Sequence, residues 1–271
     1  MPRALPEFVY TAIGRFLPNI EGPTFIVGSG RCGTSLLVSM LTSHPALTGV
    51  PGEANHLWHP YAFPFRYRSI DTPSIIEDPR TYTERSLASW PSHHDDRIQR
   101  FFTGYHAVHG RGTRLFSKSA MLSYMIPRLM ELFPRASFVH LYRNGPSVVA
   151  SLAKKEFSKY QDRFTDEQDF RMICADYWQR CILEIEHRRA EIEASPQHRF
   201  LEFAYEDLCA DPEATLTLVA EFLDVDPNDF RFDLSSVRST NYKVEQYRGS
   251  PTWAAVLERL AEGMQLKGYS D

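Results

Sequence analysis

The residues of this chain best suited to chemistry lie in Gly28-Ser29-Gly30-Arg31-Cys32-Gly33-Thr34-Ser35. Before them, Thr24-Phe25-Ile26-Val27 is a short β-branched and aromatic run that reads as a buried strand. After them, from Thr34, Ser35 to Leu41 reads as a helix that stops near His44-Pro45, because proline disfavours helix in the residue before it. A glycine-rich turn in that position points successive N–H groups at one anion, and the helix start adds the positive end of its dipole. The spacing fits G-x-x-x-x-G-[KT]-[ST], but Thr34 stands where a bound triphosphate requires lysine for its β- and γ-phosphates. The nearby cation is Arg31. Such a loop suits a 5′-phosphate and is poorly made for a γ-phosphate with Mg²⁺. Taken alone, it is an anion site or a tight strand–helix turn.

A second group follows the apolar run Ser137-Phe138-Val139-His140-Leu141-Tyr142, a strand that feeds a helix starting near Pro146. Arg143-Asn144-Gly145-Pro146 leaves its carboxyl end, where ligands of parallel sheets bind. Ser151 lies on the helix, with Lys155 one turn further on the same face. A guanidinium fork, a hydroxyl and an ammonium can serve one phosphate. The alternative is a surface arginine and an ordinary helix serine.

Together the two motifs resemble the sulfotransferases that use 3′-phosphoadenosine 5′-phosphosulfate (PAPS), a family sharing its ancestry with P-loop kinases. The resemblance covers most of the chain from about Phe25 to Tyr269. It implies that Arg31-Cys32-Gly33-Thr34-Ser35 cradles the 5′-phosphosulfate and that Arg143 and Ser151 bind the 3′-phosphate. Phe203-Ala204-Tyr205-Glu206-Asp207-Leu208 looks like the family's Y-E-D-L segment, with Tyr205 near the adenosine. Ser239, Thr240 and Asn241, in Ser239-Thr240-Asn241-Tyr242-Lys243, look like the late loop that closes over the nucleotide, and Trp253 to Tyr269 also looks familial. The usual R-D-P reads Arg143-Asn144-Gly145-Pro146 here, with the eight-residue spacing from Arg143 to Ser151 kept. Arginine in the first loop is similar to the tyrosylprotein and bacterial branches; the C-terminal R-K-G loop of the cytosolic aryl branch is not found.

Sulfuryl transfer needs cations and N–H donors aimed at the moving group and the leaving phosphate, and a base for the acceptor hydroxyl. Glu53, in Gly49-Val50-Pro51-Gly52-Glu53, is the first choice of base, as the tyrosylprotein and bacterial branches imply; His56 is the second, with an ordinary pKa of about 6.5, and His59 a weaker one. Lys118 precedes Arg143 as the family's transition-state lysine precedes its 3′-phosphate arginine. Arg31 would neutralise the leaving phosphate, and Ser239 is a further donor. Cys32 is expected to be non-catalytic, yet reactive towards alkylating agents, because a helix N-terminus lowers a thiol pKa.

Strands and helices must hold these residues in register. Leu47 to Val50 reads as a second strand, Ser123 to Phe133 as a helix, Asp169 to Glu193 as a long helix with Ile173, Tyr177, Cys181 and Ile185 on one face, and Phe200 to Phe203 as a strand. Asp211-Pro212 opens a helix through Leu223, as N-cap and N1, and a last helix runs from about Thr252 to Met264. The alternation predicts a single-domain α/β P-loop fold, a central mostly parallel sheet flanked by helices. Residues 1–22 read as an extension and 23–271 as the sulfotransferase domain, with 66–111 as an acceptor-side insertion. Tyr61, Phe63, Phe65, Tyr67 and Trp90 would line the acceptor pocket or simply pack.

Composition sets the limits. Of 271 residues 43% are hydrophobic and 24% charged, which is globular. A net charge of −4 implies no general nucleic-acid affinity, so any anion site is a local basic pocket. Cys32, Cys174, Cys181 and Cys209 form no CxxC pair, so neither a zinc site nor a disulfide framework is expected. His93-His94-Asp95-Asp96 reads as a polar loop rather than a metal site. No apolar run reaches the roughly 20 residues of a membrane span, and no signal-peptide core follows Met1, so a cytoplasmic protein without stable membrane insertion is expected, although a truncated ectodomain would look the same. The 8–20 segment is read as packing on the domain rather than on lipid. PAPS is the expected co-substrate, with no metal, and the acceptor is a small molecule, phenol, glycan or lipid. The rival readings are a small-molecule P-loop kinase, which requires ATP and Mg²⁺, and a non-catalytic nucleotide-binding module, which binds without turnover.

Overall fold

The computed structural model describes residues 5–58, 74–238 and 250–269, with Asn55 and His56 described by backbone alone. The sheet's five strands are β1 (Thr24–Val27), β2 (Leu47–Gly49), β3 (Arg114–Lys118), β4 (Ser137–Tyr142) and β5 (Arg199–Ala204), in the order β2-β3-β1-β4-β5. Every pairing is parallel. All four residues of β1 are buried, as a central parallel strand covered on both faces requires.

The period of two sorts the side chains into layers. Phe25 and Val27 of β1 and Phe138 of β4 join Phe102, Leu129 and Phe133 on one face. Ile26, Val139 and Leu141 join Leu37, Met40, Leu41 and Val219 on the other. The helices on these faces include α2 (Thr34–Leu41), α5 (His94–His109), α6 (Ile126–Leu132) and α10 (Pro212–Phe222). A third cluster joins α7 (Gly145–Glu156), α8 (Glu167–Ala194) and α11 (Pro251–Leu266) through Val148, Leu152, Trp178, Val256 and Leu260. The remaining helices are α1 (Glu7–Gly14), α3 (Asn55–Trp58), α4 (Pro79–Ala88) and α9 (Tyr205–Ala210).

Several expectations change here. β3 was not predicted; Arg, Ser and Lys in its five residues hide an interior strand whose Leu115 and Phe116 are buried. The helix expected over Ser123 to Phe133 is two elements, a 3₁₀ turn at Ala120–Tyr124 and then α6, which Pro127 helps to start. His93-His94-Asp95-Asp96 is not a polar loop: α5 begins at His94, whose buried ring bonds Leu57 O at 2.7 Å, and Asp95 and Asp96 lie in the helix's first turn. The buried side chains Ile98, Phe101 and Phe102 of α5 belong to the core, so this part of the expected insertion covers the sheet itself. The N-terminal segment packs on α5: Tyr10 is 2% exposed, edge-on to Phe101, and Tyr10 Oη meets His109 Nε2 at 2.8 Å. No helix among the described residues is long and apolar enough to cross a membrane.

Candidate active site

The chain leaves β1 into the glycine loop, which two distant side chains shape. Gly28 N–H donates to Ser123 Oγ at 2.9 Å, and Gly30 N–H to Tyr177 Oη at 2.8 Å. Arg31 takes the left-handed conformation at φ 68°, unusual for a residue with a Cβ. Gly33, at φ 104°, caps α2, and its carbonyl accepts from Leu36 and Leu37 N–H at 2.9 and 3.2 Å. A Cβ on Gly33 would stand 2.3 Å from Tyr205 Cδ2, so the loop and the Tyr205 ring are in direct contact. Gly33, Thr34 and Ser35 line a cavity of about 390 Å³, with Arg31, Lys118, Arg143 and Tyr205 around it. The helix's leading N–H groups have no carbonyl one turn back, the arrangement by which helix starts bind anions.

Cys32 corrects the expected reactivity. Its side chain is 0% exposed, turned into the core beneath the loop, and burial pushes its thiol up to about 11, outweighing the helix start and the nearby cations. It does not line the cavity.

Arg143 leaves β4 at the same end of the sheet and is 4% exposed. Its Nη1 donates to Arg31 O at 3.0 Å, and its guanidinium lies 4.5 Å from the Tyr205 ring centroid. Asn144 Oδ1 accepts from Ser147 N–H at 3.2 Å and caps α7. Arg31 Nε donates to Ser151 Oγ at 3.1 Å. The two anion motifs, far apart in sequence, are thus hydrogen-bonded to each other across one cavity. Lys155 is exposed one turn beyond Ser151 and does not line that cavity.

On the other side, β3 ends at Lys118 and the turn after β2 carries Glu53. Lys118 Nζ and Glu53 Oε1 are 2.8 Å apart, with both side chains on the cavity. The His56 side chain, and His59, Tyr61, Phe63, Phe65, Tyr67, Ser239, Thr240, Asn241, Tyr242 and Lys243, lie outside the described residues. Trp90 packs on His94, ring centroids 4.4 Å apart, and borders a different cavity.

Sequence reasoning missed Ser123 and Tyr177 as shapers of the loop; Tyr177 had the right helical spacing but read as core. It also missed Glu156, which lines the cavity and pairs with Lys159 at 2.6 Å, and the apolar wall of Ile75, Ile76 and Leu152. Two wider surface cavities, of about 570 and 530 Å³, meet at Tyr124 and contain none of the loop residues. Among the described residues no cluster of His, Cys, Asp and Glu could hold a metal ion.

The sequence model of the sulfotransferase family matches residues 23–229. Protein-tyrosine sulfotransferase A of Caenorhabditis elegans is 26% identical over 76% of this chain, and the protein-tyrosine sulfotransferase of Drosophila melanogaster 27% over 78%. The chain spans only 50% and 40% of the lengths of these two. Among solved structures, the sulfotransferase domain of the Synechococcus PCC 7002 olefin synthase superposes with a TM-score of 0.59 at 20% identity, covering 94% of this chain and 97% of that one. A sulfotransferase from Mycobacterium avium gives 0.63 at 14% identity, covering 94% and 79%. The structural likenesses carry the fold alone, and the family match supports sulfuryl transfer in general as the chemistry. With the match extending over the loop after β1, the lysine of β3 and the arginine after β4, the chain belongs to the sulfotransferase family.

Proposed function

We propose that this protein transfers a sulfuryl group from PAPS to an acceptor hydroxyl. The observation that carries the reading is the pair Arg31 and Arg143, joined by a hydrogen bond across one cavity, each at the head of a separate anion motif. A nucleotide with phosphates on both its 5′ and 3′ positions needs two such motifs; ATP needs one and a lysine that Thr34 replaces. The fit is supported by the buried Arg143, stacked on Tyr205 where the base of a nucleotide would extend the stack.

In this reading the N–H groups at Gly33, Thr34 and Ser35 and the Arg31 guanidinium hold the 5′-phosphosulfate, and Arg143 with Ser151 holds the 3′-phosphate. Glu53 takes the proton of the acceptor hydroxyl. The oxygen so activated forms the new O–S bond as the bond from sulfur to the bridging phosphate oxygen breaks. Lys118 steadies the charge on the moving group, and Arg31 the charge on the departing phosphate. Removing one such charge-assisted contact raises the barrier by about 2–4 kcal/mol. The acceptor enters beside Glu53, past Ile75 and Glu156, and is a phenol such as a tyrosine, a sugar or a lipid alcohol.

Calorimetry with 3′-phosphoadenosine 5′-phosphate (PAP) and with ATP–Mg²⁺ tests it. Micromolar PAP binding, much weaker ATP binding, and loss of PAP binding in Arg143→Ala are expected. Tight ATP–Mg²⁺ binding indifferent to a 3′-phosphate would overturn the reading in favour of a kinase.

A further inference from the structure

The Arg143 side chain is placed by Arg31 and Tyr205, but its backbone lies in the turn between β4 and α7, which the sheet does not hold. Two side chains from other elements grip that turn. Trp178 Nε1, from α8, donates to Arg143 O at 3.0 Å. Asn144 N–H donates to Glu206 Oε1 at 3.2 Å, and the other oxygen of the same carboxylate accepts from Tyr269 Oη at 2.6 Å. Glu206 therefore bridges the turn and the segment that follows α11.

We propose that Glu206 and Tyr269 form a brace that holds the Arg143–Asn144 turn in the shape that recognises a 3′-phosphate. The proposal rests on the PAPS reading above. Neither residue lines the nucleotide cavity, so both are positioning residues.

Three further observations support the brace. Tyr269 is itself anchored: its ring packs edge-on to Tyr142 with centroids 6.0 Å apart, and Lys267, 2% exposed on its side chain, is clasped by Glu202 at 2.6 Å and Glu186 at 2.8 Å. Burial next to Glu206 raises the Tyr269 hydroxyl far above its ordinary value, so it remains a donor to the carboxylate. Gly145, the first residue of α7 after the turn, is wedged between Leu260 of α11 and Trp178: a Cβ there would meet them at 3.1 and 3.2 Å. The adjacent Tyr205 and Glu206 thus act on one arginine from two directions. The Tyr205 ring stacks on the guanidinium, and the Glu206 carboxylate secures the peptide behind it.

The test measures, in wild type, Glu206→Ala, Glu206→Gln and Tyr269→Phe, the affinities for PAP and for adenosine 5′-phosphate, which lacks the 3′-phosphate. It also measures exchange of the Trp178 indole proton by NMR, assigned with Trp178→Phe. A hydrogen bond to a charged group lost behind Arg143 should lower PAP affinity about tenfold in Glu206→Ala and leave adenosine 5′-phosphate within about twofold. Glu206→Gln, which keeps an acceptor for Asn144, should recover most of the loss. The Trp178 proton should exchange at least about tenfold faster in Glu206→Ala, because the turn it bonds is released. Equal loss of both nucleotides, or an unchanged PAP preference with unchanged exchange, overturns the brace. If wild type has no PAP preference, the PAPS reading fails, and the exchange rate alone decides the brace. Tyr269→Phe removes a single hydrogen bond and gives the same readouts at smaller size should Glu206→Ala not fold.

Discussion

Lys118 Nζ lies 2.8 Å from Glu53 Oε1, the lysine at the end of β3 and the glutamate in the turn after the neighbouring β2. Glu53 is 41% exposed and Lys118 14%, so the pair is partly in water and contributes only about 0–1 kcal/mol to the fold. On the proposed reading its significance is competitive: an incoming sulfuryl oxygen would be a rival acceptor for the same ammonium, and a lysine turning to it would release the carboxylate. Glu53→Gln should lower kcat about 100- to 10,000-fold while PAP affinity stays within about twofold. Lys118→Met should lower kcat about 100- to 1,000-fold. Turnover with labelled PAPS and PAP calorimetry measure both; a Glu53→Gln protein with undiminished kcat would pass the role of base to another group.

Gly33 is where the loop meets the Tyr205 ring. At φ 104°, any side chain strains the backbone, and a Cβ would also enter the Tyr205 ring at 2.3 Å. Gly33→Ala should cost about 1–3 kcal/mol in urea unfolding, and should weaken PAP binding more than about tenfold because the ring that stacks on Arg143 has to move. An alanine variant with wild-type affinity would mean that Tyr205 does not set the nucleotide site.

These two sites show what could be read from the sequence and what could not. The glycine loop and the two strands β1 and β4 were legible because their signals are local: an apolar run, a glycine turn, an arginine at a strand end. The start of α10 was equally legible, since Asp211 Oδ1 does accept from Ala214 N–H at 2.9 Å with Pro212 behind it. β3 was hidden because Arg114, Ser117 and Lys118 interrupt its apolar pattern, and only pairing to β1 and β2 makes it a strand. Ser123 and Tyr177 were illegible as loop supports because they lie 95 and 147 residues from the glycines they bond. The error at Cys32 has the same origin. A helix start is visible in sequence, but the direction in which the side chain points depends on the core that forms beneath the loop.

Burial sets cysteine reactivity in the order opposite to the one the loop alone suggests. Cys32, Cys174 and Cys181 are buried and Cys209 is half-buried. The Cys32 thiol is pushed up to about 11 and the Cys181 thiol up to about 12, in each case mainly by burial. Iodoacetamide at pH 8 should therefore modify Cys209 first in the native protein and leave Cys32 unmodified until the chain unfolds. Peptide mapping by mass spectrometry over time checks the order, and early labelling of Cys32 would mean that the loop opens to solvent.

The buried charges behind β4 predict how stability falls in acid. His140 is fully buried; burial lowers its pKa, and the hydrogen bond from its ring to Glu202, at 2.7 Å, opposes that shift only in part. Burial alone would raise Glu202, but His140 and Lys267 bring it down to about 2. Both groups bind protons more weakly folded than unfolded, so unfolding takes up protons and stability rises with pH. The His140 contribution is present above its unfolded value of 6.5 and is lost as pH falls below it; the Glu202 contribution is present above 4.5 and is lost as pH falls towards about 2. The urea midpoint should decline between pH 7 and 5, and again below pH 4.5. Glu202→Gln should lower the midpoint at pH 7, because Lys267 loses a carboxylate at 2.6 Å, and should flatten only the lower of the two declines. If the lower decline keeps its slope in Glu202→Gln, acid acts on other carboxylates and the cluster is merely structural.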